Sequence, residues 1–286
     1  MSKAMLMDLT KCIGCRACQA ACKQCYDLPA EITYNWGSYE NPPRRSARTW
    51  TTITFNEVDD GDKFAWVFAK RQCMHCNEPA CATACIVGAL QKTAEGPVVY
   101  DDKKCIGCRY CMMACPFGVP TFEWNNAIPY IRKCPFCTTR QVEGMEPACA
   151  KTCPTDSIIF GERDELLQEA HARIQAHPDK YVDHVYGETE VGGTSMLYIS
   201  HVPFEKLGFP TLGPEPIPRY ADVAMAAVPP TIVGVAAVMG GVYWITQRRE
   251  KMNQAKQSSS QDEVDVEVEH QSELGEGKEQ NHESTS

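Results

Sequence analysis

The chain has 286 residues and a hydrophobic content of 43%, which leaves room for one large domain or two small ones with an appendage. Its formal net charge is −9, but nine acidic residues and one lysine from Gln261 onward account for −8 of it. The body is therefore near neutral, the acidic balance names no partner, and no nucleic acid is expected.

In chain order, "MSKAMLMDLTKC" holds neither a hydrophobic signal stretch nor a twin arginine. A first cysteine group follows at once: Cys12, Cys15, Cys18 and Cys22, with Cys25 just beyond. "RTWTTITF" alternates, "NEVDDGDK" supplies a turn and "FAWVFAK" returns, so Thr49 to Lys70 reads as a β-hairpin. The second group is Cys73, Cys76, Cys81 and Cys85, and the third is Cys105, Cys108, Cys111 and Cys115. "EPACATAC" and "CRYCMMAC" suit the single helical turns that follow such groups, with a short strand at "PVVY". The fourth group is Cys134, Cys137, Cys149 and Cys153, and no cysteine lies beyond it.

"SIIFG" then reads as a strand. "RDELLQEAHARIQAH" reads as a helix with Leu166, Leu167, Ala170 and Ile174 on one face and Pro178 past its end. "TSMLYISHV" is a further strand. Val223 to Thr246 is a run of 24 uncharged residues. As a helix it would reach roughly 36 Å, enough for a hydrocarbon core of about 30 Å. Pro229 and Pro230 argue against a straight helix, while Tyr243 and Trp244 stand where an interfacial anchor belongs. The acidic tail beyond reads as disordered.

Seventeen cysteines in such tight groups do not suit disulfides, whose partners need separated backbones. Zinc sites join two C-x2-C pairs and give no use for a third cysteine two residues on. A C-x2-C-x2-C loop wraps three thiolates around one iron–sulfur cube, and the fourth cysteine crosses to a second cluster. The third group lies close behind the second, so those two form one two-cluster module, and the first and fourth form a split outer one. The crosswise rule then gives four ligand sets: Cys12, Cys15, Cys18 and Cys153 (cluster A); Cys134, Cys137, Cys149 and Cys22 (B); Cys73, Cys76, Cys81 and Cys115 (C); Cys105, Cys108, Cys111 and Cys85 (D). Sixteen cysteines thus serve four 4Fe-4S clusters, and Cys25 is spare.

Cys85 precedes Ile86, where such loops usually carry proline. His75, between two ligands, reads as a partly exposed loop residue ahead of a role beside the cluster. Arg16, Arg109, Lys133 and Lys151 lie near ligands and read equally as charges that favour the reduced clusters or as solvated surface groups. The modest core implies that folding and metal insertion are coupled.

No C-x2-C-H haem motif, no G-x-G-x-x-G and no P-loop is present. The apolar segment has no histidine to ligate haem, and no nucleophile and base converge. The expectation is a non-catalytic electron carrier. Arg248, Arg249 and Lys251 after the apolar run predict a cytoplasmic C-terminus, hence clusters on the periplasmic side of the inner membrane and export with a signal-bearing partner; the competing expectation is clusters that face the cytoplasm.

The cysteine groups, "YENP", "SARTWTTITF", "CMHCNEPAC", "CIGCRYCMMACPFGVP", "EPACAKTCPT" and "YGETEVGGTSMLYISHVPFEKLGFP" resemble the electron-transfer subunits of membrane molybdenum or tungsten oxidoreductases and uptake hydrogenases. The similarity is greatest to the beta subunit of respiratory formate dehydrogenase; "YGETEVGG" and "HVPFEKLGFP" are also similar to the iron–sulfur subunit of membrane NiFe hydrogenase. The resemblance implies a molybdopterin catalytic subunit as donor, and a membrane cytochrome b passing electrons to quinone. The alternative is service in a NiFe hydrogenase or another molybdopterin oxidoreductase. The expected architecture is α+β. An outer ferredoxin-like module (1–65 and 120–205) holds an inserted one (66–119). A linker (206–222), a transmembrane helix in lipid (223–246) and a disordered acidic tail (247–286) follow.

Overall fold

The computed structural model describes residues 2–59, 64–127 and 129–279. Met1–Ala221 forms one compact unit, and the chain from Asp222 forms another.

The first unit is organised by a strand that the sequence reading passed over. β1 (Lys3–Asp8) is a continuous apolar run, and Ala4 to Asp8 are all buried. A strand of that kind is covered on both faces. On one face Ala4 and Leu6 meet a core that includes Leu166, Ala170 and Ile174. On the other, Met5 and Met7 join a core containing Cys18, Cys149 and Phe136. β1 therefore separates an ordinary hydrophobic layer from the thiol-bearing one.

α1 (Ala17–Cys25) follows the first cysteine loop. The hairpin comprises β2 (Thr52–Asp59) and β3 (Phe64–Arg71), paired antiparallel from Thr52↔Arg71 to Asp59↔Phe64. The elements that follow are brief. They are α2 (Ala80–Thr83), β4 (Leu90–Lys92), β5 (Val98–Tyr100), α3 (Tyr110–Ala114), β6 (Thr121–Phe122), β7 (Ile131–Arg132), α4 (Thr138–Val142) and α5 (Ala148–Lys151). β4 pairs with β5 and β6 with β7, and Leu90, Val98 and Ile131 share a small core with Cys81 and Cys111.

β8 (Ile158–Glu162) runs antiparallel to β1, and β9 (Met196–Ile199) runs parallel on its other edge. Between them α6 (Arg163–Ala176) buries Leu166, Ala170 and Ile174, with Leu167 partly covered, as the 3.6-residue period predicts. Asp164 and Glu165 in its first turn and Arg173 in its last complement the helix dipole. Arg173 and Tyr181 bond the buried Asp8 carboxylate at 3.2 and 2.9 Å, which fixes the chain just ahead of Cys12.

Two boundaries differ from expectation. Phe204, Leu207 and Phe209 are buried against Tyr186 and Tyr198, so the segment expected to be a linker from 206 is still core through Phe209. The last helix, α7 (Pro218–Glu279), does not stop after the apolar run; it passes through Pro229 and Pro230 and continues into the stretch read as disordered. No glycine or proline, the residues most unfavourable inside a helix, interrupts residues 246–274. Within α7, Ala226–Lys256 is long and apolar enough to cross a membrane.

Candidate iron–sulfur centres

All seventeen cysteines are free thiols, and nine are buried: Cys18, Cys22, Cys73, Cys76, Cys81, Cys111, Cys134, Cys137 and Cys149. Burial pushes Cys18 and Cys81 up to about 12, and Cys22 and Cys111 to about 11. Unassisted, such groups stay protonated, whereas coordination to a metal removes the proton outright.

The four C-x2-C loops share one backbone device. The residue just before the second cysteine adopts a left-handed φ in each: Gly14 (65°), His75 (49°), Gly107 (70°) and Phe136 (63°). That turn aims its own N–H back at the first sulfur. Gly107 N–H donates to Cys105 Sγ at 3.4 Å and Phe136 N–H to Cys134 Sγ at 3.4 Å, and Gly14 serves Cys12 likewise. Glycine adopts this φ without penalty, whereas other residues bear strain of roughly 1–3 kcal/mol. The two non-glycine positions support each other, because the His75 and Phe136 rings stack with centroids 4.9 Å apart.

His75 is accordingly fully buried, not the partly exposed loop residue expected from its neighbours in sequence. The reason is its folded-in loop and that ring stack. Its Nδ1 accepts from Val98 N–H at 2.9 Å, which leaves the proton on Nε2, and that atom has no partner in the protein. Burial, with Lys133 nearby, holds the imidazole well below its ordinary pKa and therefore neutral.

The thiols fall into neighbourhoods that cross the sequence groups. Cys12, Cys15, Cys18 and Cys153 line one cavity. Cys22 faces Cys149 and Cys137, and Cys134 faces Cys22. Cys76 and Cys81 both face Cys73 and Cys115. Cys111 faces Cys85, Cys105 and Cys108. The neighbourhoods also adjoin in series: Cys18 and Cys149 share one packed core, Cys73 and Cys134 another, and Cys81 and Cys111 a third. Cys25 is half-buried and lies toward Cys137. Among the described residues, no three His, Cys, Asp or Glu side chains converge on a site for a single metal ion.

The flagged charges separate. Lys133 is buried, with its ammonium donating to the Val98 and Cys134 carbonyls. Arg16 is half-covered over the Phe55 ring, Arg109 is exposed against Phe122 and Trp124, and Lys151 is exposed. The sequence reading missed Lys70, which is 2% exposed on β3 with Nζ unpartnered. Nothing in the alternation of the strand marked it, because Lys70 stands on the same side as the exposed Phe64 and Trp66.

These features fit iron–sulfur clusters as the resident groups: thiol sets in sequence-crossed neighbourhoods, N–H groups turned onto sulfur, and buried donors (Lys70 Nζ and His75 Nε2) that lack acceptors. The fold and sites define an iron–sulfur protein of the dicluster class. Two models of the 4Fe-4S dicluster domain match it, over residues 11–89 and 64–163, which implies four 4Fe-4S clusters. The chain is 42% identical over 268 residues to a protein of Nitratidesulfovibrio vulgaris, covering 91% of this chain and 70% of that one. It is 40% identical over 201 residues to the nitrate-inducible formate dehydrogenase iron–sulfur subunit of Escherichia coli K12, covering 69% and 68%. With the hydrogenase-2 operon protein HybA of Escherichia coli O157:H7 it shares 36% identity over 243 residues, 74% of each chain. The chain belongs to this family of iron–sulfur subunits.

Proposed function

We propose that the chain is the electron-transfer subunit of a formate dehydrogenase-type membrane complex. It would relay electrons from a molybdopterin catalytic subunit to a membrane cytochrome b and quinone. The observation that carries this reading is the serial adjacency of four thiol neighbourhoods through shared packed cores, which gives a path with two ends. A 4Fe-4S cluster supplies one-electron acceptance without making or breaking a bond. What the chain supplies is spacing, burial and two docking faces. Cys15 is exposed beside Ile13 (59% exposed) at one end, and Ile106 (62%) and Met113 (87%) stand out at the other.

The neighbourhoods support the ligand sets A to D in the order A–B–C–D, with the module holding C and D (66–119) inserted in the module holding A and B. The apolar stretch of α7 is the anchor in lipid. The basic residues that follow it put the C-terminus in the cytoplasm and the cluster-bearing unit in the periplasm, exported with a signal-bearing partner.

Anaerobic EPR on the gently solubilised native complex tests the donor. Formate alone should reduce the clusters. Reduction by hydrogen alone would move the chain to a NiFe hydrogenase complex, and reduction by neither, with dithionite effective, would assign it to another molybdenum enzyme.

A further inference from the structure

Lys70 is the buried charge that the protein itself leaves unbalanced. It lies on β3, 2% exposed, and its Nζ makes no hydrogen bond. It lines the same cavity as Cys12, Cys15, Cys18 and Cys153. Cys149, Cys18, Cys134 and the Tyr198 phenol face it, and no carboxylate pairs with it among the described residues. Lys133 shows the contrast, for its buried ammonium is met by two backbone carbonyls. Burying an ammonium without a counter-charge is prohibitive. The counter-charge for Lys70 must come from what the surrounding thiolates hold.

We infer that Lys70 is the shared cation of the first two clusters, placed between sets A and B to raise both reduction potentials relative to C and D. Each reduction adds one electron from the donor subunit and no proton, so the reduced cluster carries one more negative charge. A cation inside the low-dielectric core stabilises that state. The chain would thereby hold electrons at one end of its relay, and Tyr198, whose hydroxyl donates to the Lys70 carbonyl at 3.0 Å, positions the lysine backbone.

This role presupposes the ligand sets proposed above. Their failure shows separately, as wild-type protein with iron well short of about sixteen atoms. The test is an anaerobic EPR redox titration of the native complex carrying Lys70→Met, Lys70→Arg or Lys151→Met. In Lys70→Met the reduced-to-oxidised ratio of two of the four clusters at fixed potential should fall at least tenfold, which is about 59 mV for a one-electron couple. Lys151→Met removes an exposed charge near the same sets, and screening should hold its effect to about twofold. Lys70→Arg keeps the charge and should titrate like wild type; should Lys70→Met not assemble, Lys70→Gln removes the same charge and should show the same fall. Unshifted potentials in Lys70→Met, a shift no larger than that of Lys151→Met, or a fall in Lys70→Arg as large as that in Lys70→Met would overturn the inference.

Discussion

The layer on one side of β1 and the region from Leu90 to Arg132 are built on different physics. On the first side, β8-β1-β9 and the fourteen-residue α6 enclose Ala4, Leu6, Leu197 and Ile199, all at 0% exposure. Elements of that length can bury enough apolar surface to offset chain entropy. In the second region β4 and β5 have three residues each, β6 and β7 two each, and α3 five. Helices and hairpins so short are not stable alone in water. Their core counts Cys81 and Cys111 among its members, so the thiols and what they bind are the packing. One half folds by hydrophobic burial and positions the other, which needs its metal.

Removing iron should separate the two most strongly. With a chelator under anaerobic conditions, amides of residues 90–132 should lose protection from exchange by about a hundredfold or more. Those of β1, β9 and α6 should keep most of theirs. Hydrogen exchange read by mass spectrometry would break the comparison if both regions opened together, since the chain would then be one cooperative unit dependent on iron throughout.

A narrower cut is Cys111→Ala, at the centre of the metal-dependent side. Iron content should fall by about four atoms of about sixteen. One EPR component should vanish and three remain. Loss of every component would show that set D supports the whole thiol layer.

The reciprocal substitution falls on the apolar side. Leu197→Ala should lower the stability of the sheet layer by about 2–5 kcal/mol, the range for a fully buried leucine. It should leave iron content and all EPR components unchanged, because Leu197 faces α6 and Ala4, not the thiols. A parallel loss of iron would mean that β1 transmits strain between its faces.

How much of this was visible in the chain follows the same division. Cysteine spacing is a local code, so the four groups and the dicluster class could be written down from residue intervals. α6 was equally plain, because its 3.6-residue period is carried by Leu166, Ala170 and Ile174 alone. β1 was hidden: "KAMLMD" has no alternation, since both its faces are buried, and periodicity cannot distinguish such a run from other apolar segments. The burial of His75 and Lys70 was out of reach for another reason. Each depends on a contact far along the chain, with Phe136 in one case and with Tyr198 in the other. The extent of α7 was not legible either: net charge argued for disorder in the tail, while the absence of glycine and proline from 246–274 leaves a helix open.

The smallest expected effect is also the sharpest check on the ligand sets. Cys25 ends α1, three residues after Cys22, and both lie toward Cys137. Cys22 is the more buried and also faces Cys134 and Cys149, so it reaches three thiols of set B. Cys25, half-buried, is shifted along α1 toward Tyr26. Cys25→Ser should therefore retain full iron and all four EPR components, with stability within about 0.5 kcal/mol of wild type. Cys22→Ser should cost one component. If the two results were exchanged, the fourth ligand of set B would be Cys25, and the x3 spacing shared by all four groups would not be the feature that selects it.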